Sequence, residues 1–303
     1  MPATARSSAG LALSAAAAAA TAAAVERAWW RPQALRGAPH HAAAGRGLSA
    51  AAALLAGAAL SDSAIEHYRG SFHNPVMVLP LAVASQALGV SLHGMTERRP
   101  QPSATRAFAH ALALVTGIAG SGFHLYNIVK RPGGWGWLNL FYAAPIGAPV
   151  ALSLAGMLGR LAERVRRGRI TTWGMLPGRL VAWLVALGLL GTSGEAGLLH
   201  FRGAYHNPAM AIPVTAPPVA AALLTGAAIC PRLAAPARWS LHLLTAIGLI
   251  GAGFHAYGVQ RNMGGWRNWS QNVLNGPPLP APPAFTALAI AGLAALRLLE
   301  RER

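Results

Sequence analysis

The chain is laid out in apolar blocks of about 20 residues, the length at which a helix crosses the hydrocarbon core of a bilayer. Eight can be read, at roughly 47–64, 76–95, 107–129, 139–159, 179–199, 208–229, 239–259 and 280–298, by that length rule. Backbone polar groups cannot be left unpaired in lipid, so such blocks dictate helices. The expected fold is an all-α integral membrane protein with eight transmembrane helices. The composition agrees: 11% of residues are charged, against about a quarter in a soluble domain.

The net charge of +17 invites a nucleic-acid partner until its placement is followed. Of the 25 basic residues, 14 fall in the loops after blocks two, four and six and in the C-terminal tail, among them Arg98, Arg106, Arg164, Arg166, Arg238 and Arg301. Six fall in the opposite loops: Arg69, Lys130, Arg131, Arg202, Arg261 and Arg267. Basic loops stay in the cytoplasm, so both termini are expected inside, in a bacterial-type inner membrane. The anionic lipid bilayer is then a sufficient partner for the charge, and nucleic acid is not called for. Cys230 is the single cysteine, so neither a disulfide framework nor a thiolate cage can be built. Residues 1–44 are read as an Ala-rich N-terminal tail or surface helix, too weakly apolar for a span.

Organisation comes from an internal repeat. HYRGSFHNPVMVLP (67–80) returns as HFRGAYHNPAMAIP (200–213), identical at eight of 14 positions. GFHLYNIVKRPGGW (122–135) returns as GFHAYGVQRNMGGW (253–266), identical at seven of 14. This predicts two tandem parallel four-helix repeats, 45–160 and 178–298, joined by a basic cytoplasmic linker at 161–177 and followed by a tail at 299–303. An even number of helices per unit makes the copies run the same way through the membrane, about an axis along its normal. Both motifs then gather at the periplasmic face.

Part of the motif only starts and stops helices. Asn74 and Asn207 suit N-caps and Pro75 and Pro208 suit first helical positions. Gly133-Gly134 and Gly264-Gly265 suit helix ends, and Trp135 and Trp266 an interfacial belt. The histidines resist that treatment. His67, His124, His200 and His255 sit in or at the ends of apolar helices, where an ionisable side chain is rare and usually faces the bundle interior with a partner. These four are the candidate metal or haem ligands, with pairing expected between His67 and His124 and between His200 and His255. His73 and His206, nearer water, together with Arg69 and Arg202, are candidates for binding a cofactor's polar edge. Asp62 and Glu195 each precede their histidine by five residues, as second-shell carboxylates or a proton relay.

Imidazole without thiolate suits zinc, copper, iron or haem. Gly117, Gly120 and Gly122 lead into His124, and Gly248, Gly251 and Gly253 lead into His255; such small residues admit a neighbouring helix or a flat ligand. His110 and His124 are 14 residues apart and His242 and His255 are 13 apart. That spacing resembles the haem-bearing helices of the cytochrome b family and implies a transmembrane haem pair, although 13 residues turn His242 away from His255.

The functional expectation is a membrane-integral, b-type cytochrome-like electron-transfer subunit. It would hold haem b near the periplasmic face and link quinone to a periplasmic dehydrogenase or cytochrome. No motif suits a nucleophilic, phosphoryl-transfer or hydride-transfer enzyme, so substrate chemistry would belong to the oxidoreductase partner. The alternatives are a multi-pass transporter or metal permease, a His-ligated non-haem metal protein, and a structural anchor.

Overall fold

A computed structural model describes residues 39–98, 102–143, 145–168 and 175–302. The Ala-rich stretch of the N-terminal segment and part of the basic linker lie outside those residues. The described chain is helical: α1 (Pro39–Arg69), α2 (Leu79–Thr96), α3 (Ala104–Val129), α4 (Trp137–Tyr142), α5 (Gly147–Arg166), α6 (Pro177–Arg202), α7 (Ile212–Ile229), α8 (Ala234–Gln260), α9 (Trp269–Asn275) and α10 (Pro283–Leu299). Among these residues six helices are long and apolar enough to cross a membrane, namely α1, α2, α3, α6, α7 and α8, with short 3-10 turns preceding α2, α7 and α8. The chain is thus a multi-pass α-helical membrane protein.

The fourth and eighth blocks differ from expectation. Block 139–159 is not one helix: α4 ends at Tyr142 and α5 starts at Gly147. Pro145 between them has no N–H to continue the ladder. Block 280–298 is likewise entered through the prolines of 277–283, and α10 is only 17 residues long. α5 carries Arg160, Glu163, Arg164 and Arg166 in its second half. Charge for α5 and length for α10 set these two apart from the six.

They are the inner helices. Nearly every side chain of α10 is buried, from Ala284 to Leu299. In the first half α1, α2, α3 and α5 pack as a ring in which α5 touches both α1 and α3; α6, α7, α8 and α10 make the corresponding ring. α10 also lies along α1, whereas its counterpart α5 meets α6 over a much shorter length. α3 and α8 do not pack along each other, so the paired haem-bearing helices implied by the cytochrome b resemblance are not formed. His110 is buried against Gly159 of α5, while His242 is exposed.

Small residues let the helices approach, since apolar contact alone gives no drive between helices in lipid. α1 buries Ala44, Leu48, Ala51, Ala52, Leu55 and Ala59. A Cβ on Gly156 would strike the α3 backbone at Leu114. The outside is apolar as well: Val115, Ile118, Leu187, Leu249 and Phe254 are all exposed.

Polar groups collect inside, at one end. Arg106 at the start of α3 and Arg166 at the end of α5, counted above among basic loops, are buried in helices at 4% and 0% exposure. Arg106 Nε donates to Glu163 Oε1 at 2.7 Å, and Arg166 Nη2 donates to the Gly94 carbonyl near the end of α2 at 2.5 Å. A side chain at Gly45, in α1, would run into Arg166. The first turns of α1 and α3 and the last turns of α2 and α5 therefore share one end, so these four helices alternate in direction. In the second half Glu302, past α10, accepts the Gly178 N–H of α6 at 2.6 Å, and Arg238 of α8 pairs with Glu300.

Candidate functional site

The opposite end holds the repeated motifs, and the two copies fold alike. Helix α1 ends at Arg69, and the chain turns through Ser71 and Phe72, both with positive φ (56° and 46°); Ala204 and Tyr205 repeat this after α6 (54° and 47°). Non-glycine residues seldom hold this conformation, and two in succession need support from their surroundings. Support comes from the motif. Ser71 N donates to Tyr68 O at 2.8 Å and Phe72 N to His67 O at 3.0 Å. Asn74 then caps the next turn by accepting from Val76 N at 3.0 Å, and Asn207 does the same for Ala209 at 2.9 Å.

All six motif histidines bond a backbone carbonyl through Nδ1. His67 reaches Met77 O at 2.6 Å and His200 reaches Met210 O at 2.9 Å. His124 reaches Pro145 O at 2.6 Å and His255 reaches Pro278 O at 2.6 Å. His73 and His206, exposed in their loops, reach Gly70 O and Gly203 O at 3.1 and 3.0 Å. A carbonyl only accepts, so each Nδ1 carries a proton, and in a neutral imidazole the lone pair is then on Nε2. That is the tautomer of an imidazole poised to ligate through Nε2 or to take up a proton there.

The second-half histidines are in ring contact, and the first-half pair lines one cavity. The rings of His200 and His255 are 6.5 Å apart between centroids, at an interplanar angle of 67°. His67 and His124 line one small cavity in the first half, with Asp62 and Glu66. Two imidazoles on one iron require nitrogens about 4 Å apart and hence ring centres about 6 Å apart, taking metal–nitrogen bonds of about 2 Å. The second-half pair meets that spacing. The first-half cavity is smaller than a porphyrin and does not enclose one as it stands. Among the described residues no group of three or more His, Cys, Asp or Glu is arranged to hold a metal ion; each half supplies a pair of imidazoles rather than a cage.

The glycines give no argument for a flat ligand. A Cβ on Gly117 would strike Pro149 and Ser153 of α5, and one on Gly120 would press on Pro149. Gly248 and Gly251 stand in the same relation to Thr286 and Pro282. The groove is filled by a helix. Gly122 and Gly253 have nothing within 4 Å, but two residues before the histidine is the far side of the helix.

Both motif arginines reach into the other half. Arg69 donates to the Leu274 carbonyl and pairs with Glu66 at 2.9 Å, while Arg202 lies over the Tyr142 ring at 5.2 Å. Phe141 of α4 stacks on Phe201 of α6 at 5.8 Å. The matched carboxylates have separate partners. Glu195 Oε1 accepts the Gly147 N–H at the start of α5 at 2.9 Å. Asp62 lines the first-half cavity and lies close enough to Glu66, Glu195 and Arg69 to feel their charge. Glu66 was missed in the sequence because its counterpart is Leu199 and the repeat does not mark it. Gly147 was missed because its counterpart is Pro280.

No family model, curated protein or solved structure matches this chain.

Proposed function

We propose that the chain is a membrane-integral electron-transfer subunit in which each half uses two imidazoles, His67 with His124 and His200 with His255, to hold haem b. The observation that carries the reading is the His200–His255 pair, 6.5 Å between ring centroids, with each Nδ1 on a carbonyl. Haem would supply one-electron chemistry. The chain's own part is to fix the ring orientations through Met77, Met210, Pro145 and Pro278. Exposed His73 and His206 would meet a quinone headgroup or a periplasmic dehydrogenase or cytochrome.

All eight long helices cross the bacterial inner membrane, with α5 and α10 as shortened inner spans, and the two four-helix units are parallel tandem repeats. Both termini are cytoplasmic. The alternating helix directions and the duplicated hydrogen bonds support the parallel repeat, and the distribution of basic residues supports the orientation.

The test is the dithionite-reduced minus oxidised spectrum of protein purified from haem-replete cells. A b-type alpha band is expected, lost in stages with His124→Ala and His255→Ala and retained in His73→Ala. Absence of the band ends the reading. Asp62 and Glu66, sharing the first-half cavity, favour one rival, a permease passing a cation through it. Metal-dependent uptake into proteoliposomes by a protein without haem would establish that rival.

A further inference from the structure

The two imidazole pairs sit in repeated surroundings, yet one bond is made on one side only. Glu195 belongs to α6, in the second half, and accepts the N–H of Gly147 in the first half. Gly147 is two residues after Pro145, whose carbonyl holds His124 Nδ1 at 2.6 Å. The chain of contacts therefore runs from Glu195 through the first turn of α5 to the His124 imidazole. Space is shaped for it: a Cβ on Gly147 would lie inside the Glu195 carboxylate. The first N–H groups of a helix lack intrahelical acceptors, and a carboxylate there is favoured by the helix dipole.

The second half cannot make this tie. Pro145 corresponds to Pro278 and Pro149 to Pro282, each 133 residues on, as their identical contacts with His124 and His255 and with Gly120 and Gly251 require. Gly147 then corresponds to Pro280, which has no N–H to give. Glu195 corresponds to Asp62, one methylene shorter. Donor and reach are both missing. The helices agree, since α1 packs closely along α10 while α5 and α6 meet over a short length; the longer Glu195 side chain bridges at the looser contact.

We propose that Glu195 is a positioning residue that sets the His124 imidazole of the other half, making the two histidine sites unequal. The first-half site is keyed by a carboxylate of the second half, and the second-half site has no such tie. This rests on the bis-imidazole reading for its consequence, namely two centres with different properties, but the tie itself does not need a cofactor.

The experiment follows both. Full-length protein labelled with 15N-histidine is studied without haem in detergent, with resonances assigned by His124→Ala and His255→Ala. His124 is expected to show the single Nδ1–H tautomer. Glu195→Ala and the shorter Glu195→Asp should turn His124 into a tautomer mixture and leave His255 unchanged. Glu195→Gln, which keeps an acceptor oxygen, should restore the single tautomer, and Asp62→Ala should not disturb His255. Equal responses of His124 and His255, or no response at His124 in Glu195→Asp, would overturn the proposal. In haem-loaded protein lacking His255, Glu195→Asp should shift the remaining alpha band and Glu195→Gln should not. A protein with no haem band removes the bis-imidazole haem reading alone, and the tautomer result then decides the tie.

Discussion

Arg106 and Glu163 face each other at 2.7 Å, Nε to Oε1, with 5% and 2% of their side chains exposed. Arg106 Nη2 also reaches Glu163 Oε2 at 3.2 Å, and the Ser103 N–H donates to Oε2 at 2.6 Å. One carboxylate thus serves two guanidiniums, because Arg166 Nε lies 3.7 Å from Oε1. Removing one member of a buried pair leaves the other charge uncompensated, a loss of about 3–5 kcal/mol. Glu163→Ala is predicted to lower thermal stability in detergent by that order. A change within the scatter of surface variants would mean that water reaches this end of the bundle.

The turns after α1 and α6 store strain. Ser71 and Ala204 hold φ of 56° and 54°, at a cost of about 1–2 kcal/mol for a residue with a Cβ. Glycine takes this conformation without that cost. Ser71→Gly and Ala204→Gly are each predicted to stabilise the protein by about 1 kcal/mol after the greater freedom of glycine in the unfolded chain is subtracted. The check is the thermal midpoint of each single variant; a fall in both would show that the side chains, not the backbone, hold the turn.

The proposed topology is open to a direct check. Reporters fused after Arg167 or at Arg303 are predicted to read as cytoplasmic, and reporters inserted at Ser71 or Ala204 as periplasmic. A cytoplasmic signal at Ser71 with a periplasmic one at Arg167 would invert the orientation. Opposite signals at Ser71 and Ala204 would break the parallel relation of the halves.

Much of this was legible because bilayer physics and duplication both write themselves into sequence. Helix parity puts His67 near His124 before any side chain is placed, and a histidine repeated at offset 133 cannot be a local accident of composition. Other features depend on which helix lands where. Gly117 and Gly248 serve a helix contact, but the same residues would serve a flat ligand, and only the presence of Pro149 and Pro282 decides between them. Arg106 and Arg166 read as loop charges, since a sequence does not display that one Glu163 neutralises both. The break before α5 was legible in Pro145, but the surrounding residues are apolar throughout and masked it within one block. The Glu195–Gly147 bond joins residues 48 apart across the two halves, and the repeat conceals it because Pro280 removes its copy.

Glu302 makes its contact at the opposite end from the histidines. Its Oε1 accepts the Gly178 N–H at 2.6 Å, while Oε2 is buried without a hydrogen-bond partner among the described residues. Burial pushes the carboxyl above its ordinary value of 4.5, and the Gly178 bond and Arg179 offset only part of that. A carboxyl with a raised folded-state pKa prefers to be neutral in the fold. Its contribution to stability is therefore fully present below pH 4.5 and is lost as pH rises through the folded value. Glu302→Gln keeps an acceptor for Gly178 and cannot ionise. It is predicted to match the wild type at pH 4 and to have the higher thermal midpoint at pH 8, with the gap opening as pH rises between them. A gap constant with pH would show that burial does not shift this carboxyl, and one that opens on acidification would show that the fold prefers the ionised form and that Arg179, not burial, dominates at this contact.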